Sequence, residues 1–485
     1  MSRIIDKAAS VVSSPSVIYV ILRYVTYFLA FVNALLLAKY LGGYEYGIYS
    51  FVLLIVSYMA YANLGINESL NTEYSKYKNT LRANKIWDTA WSLNLLICLA
   101  VSLLWCAVTV LDSDLFANYH FRDYGYLLIV TCLVINLGRI YITYYKLFGK
   151  LLKLNIQQIL PNITILVLCL VFKTDITVNM IVWALLITNS IALLLFRIGL
   201  PQRPKFTIDR AISKVLITRG ISLLLYNLSF YLMILFASSL VSANFEVTEF
   251  GCFSFANSLV NGVIMAGGAF LFIFYPKILN QMEGTDQQIE ANIRRIKSIY
   301  VVGIDMICLV SILCVYVISF WYPEYSIRMV QIYSVLILGK CLNNATTGYS
   351  AFLIARKKEI RLAAYGFCSV GVVWALSSVF LRFKLGVEYI ALAVTVASFV
   401  YSSCVVIEGV RTLYHKISFR SYVYEIFGNG SWLNMLLLVL FAFVWPNPYF
   451  LLGSIGLYYI LNFKNIKKAI SSGLDIMTNK NALNF

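Results

Sequence analysis

Apolar stretches of roughly 20 residues recur from Val17 to Phe463, separated by short polar punctuation. A hydrocarbon core of about 30 Å needs about 20 helical residues to cross, and only helices or closed barrels satisfy their backbone there. Barrel strands would alternate polar and apolar positions over about 10 residues. These stretches are solidly apolar, so they predict helices. The pattern gives about fourteen spans, at 17–40, 46–67, 88–111, 124–146, 154–172, 178–198, 218–241, 249–276, 297–321, 329–354, 362–381, 388–411, 431–446 and 449–463. The last two are short and interrupted by Pro446 and Pro448, which fits a C-terminal helix pair or a re-entrant hairpin.

Two sequence matches point to duplication. Tyr44–Phe51, YEYGIYSF, resembles Thr248–Phe255, TEFGCFSF, with Gly47 and Gly251 offset by 204. Leu137-Gly138-Arg139 resembles Leu338-Gly339-Lys340 at an offset of 201. An even number of spans between the copies keeps their orientation, so the repeat is parallel and predicts two six-helix bundles. The expected organisation is a first bundle over 1–198, a cytoplasmic linker over 199–217, a second bundle over 218–411, and the helix pair with a cytoplasmic tail over 412–485. A cavity is expected between the bundles near the bilayer midplane.

Composition agrees: the 485 residues are 60% hydrophobic and 13% charged. The net charge of +17 lies in small clusters between spans, which reads as a topology signal rather than a nucleic-acid surface. Lys76, Lys78, Arg82 and Lys85, then Lys146, Lys150 and Lys153, and later Arg356, Lys357, Lys358 and Arg361 fall on one side. The positive-inside rule puts that side and both termini in the cytoplasm, with the chain in the cytoplasmic (inner) membrane. No cleavable signal pattern precedes the first span. The ten cysteines lie in apolar spans without a CxxC pair, and only two His occur. They read as bundle fillers, with no metal site and no cofactor expected. Outside loops are short, which argues against an enzyme that polymerises or acylates sugars there.

Ionisable groups inside spans are the strongest functional pointers, since each is costly unless it meets water or a partner. They are Arg23, Arg139, Lys340 and Asp305. Arg23 opens a polar stripe with Thr26 and Asn33, and Arg139 shares one with Asn136 and Thr143. Lys340 continues to Asn344 and Thr347, and Asn257 and Asn261 line one face after the second repeat motif. The cations suit a phosphate or pyrophosphate, the Arg as a planar fork and the Lys as a point charge. Snorkelling or interhelical ion pairing is the competing role. Asp305 is either a proton or sodium coupling site or the counter-ion of a nearby cation. Glu68 and Glu408 lie close enough to the interface for solvation to explain them. Glu45 and Glu249 read as helix-start residues.

The run LLLAKYLGGYEYGIYSFVLLIVSYMAYANLGINESL resembles the start of Wzx-type O-antigen and capsule repeat-unit flippases. These are polysaccharide transporters of the superfamily that also holds MATE multidrug exporters and murein-lipid flippases. The matching elements are the run to Leu41-Gly42, the Tyr46-Gly47-x-Tyr49 turn, and Leu64-Gly65-Ile66. The resemblance implies an all-α polytopic, V-shaped, MATE-like fold. It implies alternating-access translocation of an undecaprenyl-pyrophosphate-linked oligosaccharide, with membrane lipids, a glycan polymerase and a chain-length regulator as partners. Another exporter of the superfamily is the alternative, and a membrane polymerase or acyltransferase a more distant one.

Overall fold

The computed structural model describes residues 15–78, 80–111, 116–200, 202–282, 284–414, 425 and 437–478. They are all-helical, with no strand among them. Nine of the helices among the described residues are long and apolar enough to cross a membrane, so this is a multi-pass membrane protein. The chain divides into two compact units, Met1–Leu228 and Ser229–Phe485. The division falls inside a helix, past the end of the segment 199–217.

The first unit holds α1 (Pro15–Met59), α2 (Ile66–Lys76), α3 (Leu81–Leu111), α4 (Phe121–Leu147), α5 (Ile156–Phe172), α6 (Val178–Arg197) and the start of α7 (Arg210–Asn244). The two expected spans 17–40 and 46–67 run together in α1, which kinks at Gly42 (φ 70°). The second of them does not continue unbroken to residue 67. It stops at Met59, passes through tight turns over 60–65, and restarts as α2. Leu64 and Gly65 both take positive φ there, 50° and 77°. The Asn63 side chain accepts the Gly65 N–H at 3.1 Å, an Asx turn that fixes the break. The unit's core is aromatic: Trp87 of α3 stacks on Tyr144 of α4 at 4.0 Å between centroids, and Tyr74, Tyr141, Tyr145 and Phe196 pack around them.

The second unit holds the rest of α7, then α8 (Val247–Gln281), α9 (Asp286–Ile296), α10 (Val302–Ser319), α11 (Ser326–Asn344), α12 (Thr347–Ala355), α13 (Glu359–Arg382), α14 (Val387–Tyr414) and α15 (Pro448–Thr478). A π-helical turn, Lys297–Val301, joins α9 to α10. The expected last span, 449–463, is the first part of α15, whose helix runs on through the lysine-rich residues to Thr478. Of the expected span 431–446, residues 431–436 lie outside the described residues, and Leu440–Val444 form a π-helical turn.

Each unit repeats one packing order. In the first, α4 packs on α3 and α6, and α5 on α6. In the second, α11 packs on α10 and α14, and α13 on α14. The repeated sequence motif lands equivalently in both. Phe51 stacks on Tyr119 at 4.1 Å, in the connection before α4. Phe255 packs on Tyr325 at 4.9 Å, in the connection before α11. Glu249, in the first turn of α8, pairs with Arg328 at 2.7 Å.

Residues 202–209 form an extended strap along α3. Asp88 Oδ1 accepts the Lys205 N–H at 3.0 Å, and Ser92 Oγ accepts that of Thr207 at 3.0 Å. Asp209 then starts α7, its Oδ1 accepting the N–H groups of Ala211 (2.9 Å) and Ile212 (3.0 Å). Asp209→Ala removes this N-cap and is expected to cost about 1 kcal/mol, read as a lowered melting temperature of the detergent-solubilised protein.

Candidate functional site

In the first unit the expected residues form two separate polar groups. The first joins α1 to α5. Arg23 donates from Nη1 to Gln158 Oε1 at 2.7 Å and from Nε to Tyr27 Oη at 2.6 Å. Asn33 Nδ2 donates to the backbone oxygen of Asn162 at 2.8 Å. Its own Oδ1 is buried without a partner. Gln158 and Asn162 stand one turn apart on α5, so one face of that helix serves both residues of the Arg23 stripe.

The second group sits at the α1–α2 break. A helix that stops inside a membrane leaves carbonyls unsatisfied, and these must find donors. Asn136 of α4 donates from Nδ2 to the Met59 oxygen at 2.8 Å, and Arg139 Nη1 donates to the Ala60 oxygen at 2.9 Å. These two residues therefore have a capping role that the polar-stripe reading did not foresee. Arg139 spends one of its five N–H donors this way. Tyr61 and Glu68 lie within its electrostatic reach. Glu68 is not explained by solvation, since its Oε2 is buried and without a hydrogen-bond partner.

In the second unit the fold brings Lys340 and Asn257 together. They line one cavity of about 20 Å³ between α7, α8, α11 and α14, with Gly339, Asn343 and Ser398 beside them. A cavity of that size holds about one water molecule. Gly339 makes the approach of α14 close: a Cβ there would meet Thr395 Oγ1 at 3.2 Å and Ser398 Oγ at 3.4 Å. Asn343 donates to Ser398 Oγ and accepts from Ser402 Oγ, both at 3.3 Å. Asn257 keeps a buried Oδ1 with no partner. The polar wall thus carries an ammonium, two amides and one hydroxyl.

Asn344 and Asn261 are not among the residues lining that cavity. The residue of α11 that bonds α14 beside Lys340 is Asn343, at i+3 rather than i+4. Asn344 keeps a buried, unpartnered Nδ2, and Asn261 is half-buried one turn beyond Asn257. Asp305 is buried in α10 beside Cys341, with Tyr458 of α15 within electrostatic reach. Among the described residues it makes no ion pair, so the expected counter-ion is not found there. Its Oδ1 is unpartnered. Glu408 is also not a solvated interface residue. It is buried and paired with Lys358 (3.0 Å) and Arg361.

Sequence reasoning missed Gln158, Asn162, Asn343 and Ser398. A signal existed for three of them. Gln158 and Asn162 repeat at i, i+4 on an apolar span, and Ser398 belongs to a row with Thr395 and Ser402. Neither row contains a charged residue.

Comparison with known proteins adds family and fold. Residues 15–273 match the family described as "Polysaccharide biosynthesis protein". No curated protein matches the chain. A solved structure described as "Lipid II flippase MurJ, inward closed conformation" is similar with a TM-score of 0.67 at 13% identity, over 93% of this chain and 98% of that one. An inward-facing multidrug resistance MATE family transporter of the MOP superfamily is similar with a TM-score of 0.56 at 13% identity, over 82% and 98% of the two chains. A MOP superfamily transporter from Pyrococcus furiosus gives a TM-score of 0.54 at 12% identity, over 83% and 96%. At these identities the similarity is one of fold, which the chain shares with all three structures.

Proposed function

The chain belongs to the polysaccharide biosynthesis protein family, and on that premise we propose that it is a Wzx-type flippase. Its cargo is an undecaprenyl-pyrophosphate-linked oligosaccharide, an O-antigen or capsule repeat unit. The cargo crosses from the inner to the outer leaflet of the cytoplasmic membrane by alternating access. The observation that carries the reading is Lys340 in a polar cavity with Asn257, Asn343 and Ser398 inside an apolar helical unit. The cavity admits about one water in this conformation, so cargo contact belongs to an opened state of the cycle, where an ammonium matches a pyrophosphate oxygen while amides and a hydroxyl match sugar hydroxyls. Arg139, with most of its donors left over after capping Ala60, and Arg23 are the cationic counterparts in the first unit. The structural neighbour described as a lipid II flippase supports a lipid-linked cargo. Asp305 is assigned to H⁺ or Na⁺ coupling, both termini to the cytoplasm, and a glycan polymerase and chain-length regulator to the partners.

The test is complementation. A strain lacking its own repeat-unit flippase, with the matching glycosyltransferases present, is given this chain. Restored outer-leaflet labelling of the lipid-linked oligosaccharide supports the reading. Rescue of a murein-precursor flippase defect or of drug efflux, with no effect on glycan display, overturns it.

A further inference from the structure

A second charged site lies where α13 begins and α14 ends, lined by Lys358, Arg361, Glu408, Arg411 and Thr412 around an open cavity of about 330 Å³. Both helices are apolar spans, so their ends mark headgroup level. Three cations face one carboxylate. Glu408 is buried and organises the wall: its Oε1 accepts from Lys358 Nζ at 3.0 Å and from Arg361 Nη1, and its Oε2 accepts from Tyr365 at 3.4 Å. Lys358 also donates to Thr412 Oγ1 at 2.8 Å. Arg361 commits one nitrogen, and Arg411 is exposed, with no hydrogen bond or ion pair to any described residue. Glu359 in the first turn of α13 offsets the positive end of that helix, so the pocket's field comes from its three cations.

One buried glutamate thus holds two cations in place without cancelling three. We propose that this pocket binds the phosphate of an anionic phospholipid headgroup. Arg361 and Arg411 supply guanidinium donors to the phosphate oxygens, and Lys358 a point charge. The geometry stands apart from the Lys340 cavity and does not depend on the transport reading.

The experiment uses the full chain purified in detergent, incubated with phosphatidylglycerol or phosphatidylcholine and scored for retained lipid by native mass spectrometry. The wild type should retain phosphatidylglycerol preferentially. Removing two cations with Lys358→Gln and Arg411→Gln should weaken that retention roughly thirtyfold, with the phosphatidylcholine signal unchanged. Arg411→Gln alone removes no hydrogen bond or ion pair to any described residue, so the fold should be kept, as a melting curve checks, and retention should weaken about fivefold. Equal retention of the two lipids by the wild type, or unchanged retention by Arg411→Gln, overturns the proposal. So does displacement by millimolar inorganic phosphate in the absence of any lipid preference, which marks the pocket as a free-phosphate site.

Discussion

Lys340→Met is expected to silence surface glycan display while the protein still folds and reaches the membrane. An ammonium within an apolar helical unit costs free energy to hold there, and an apolar side chain of similar length removes that cost. A melting curve in detergent checks that the variant remains folded. The cargo contact, by contrast, is lost. A charge-assisted hydrogen bond contributes about 1.5–3 kcal/mol, so display should fall roughly ten- to hundredfold. Lys340→Arg keeps the charge and should retain part of the activity, limited by the room in a cavity of about 20 Å³. Wild-type display from Lys340→Met would remove Lys340 from the cargo path.

The second large effect concerns the broken helix. Gly65→Ala should strongly destabilise the protein, by about 4 kcal/mol or more, seen as loss of the monodisperse peak after detergent extraction. Two causes add. The backbone at Gly65 has φ +77°, where any side chain is strained. A Cβ there would also lie 2.1 Å from the Gly220 carbonyl oxygen, a backbone atom of α7 that cannot swing aside. Gly149→Ala separates the two causes. Its φ is +66°, but nothing lies within 4 Å of the added carbon. It should cost about 1 kcal/mol. Equal effects from the two substitutions would show that the close approach of α7 does not matter.

The helices were legible because their apolar length is set by the bilayer and needs no tertiary information. The break at 60–65 was not, because its cause is non-local. Asn63, Leu64 and Gly65 provide a turn, but it is tolerable within an apolar unit only because Asn136 and Arg139 cap the freed carbonyls. The same distance explains why Arg139 read as a binding residue. A polar stripe is visible in the sequence, whereas the backbone oxygen it serves lies 79 residues away. Lys340 and Asn257 were chosen on two different helices and do share a cavity. Asn344 was chosen by period alone, and the residue of α11 that lines the cavity with Lys340 is its neighbour Asn343. Glu408 was misjudged for want of its partners, which stand 47 and 50 residues earlier in the chain.

The strap over 202–209 has a consequence for how freely its residues can change. Its hydrogen bonds to α3 run through its own main chain, whereas α3 contributes the side chains of Asp88, Thr89 and Ser92. Replacing Arg203, Lys205 or Phe206 therefore leaves every one of those bonds available, while altering the three α3 residues does not. Phe206, at 61% exposure, is accordingly a place to attach a spectroscopic reporter whose tether is held by the protein backbone itself.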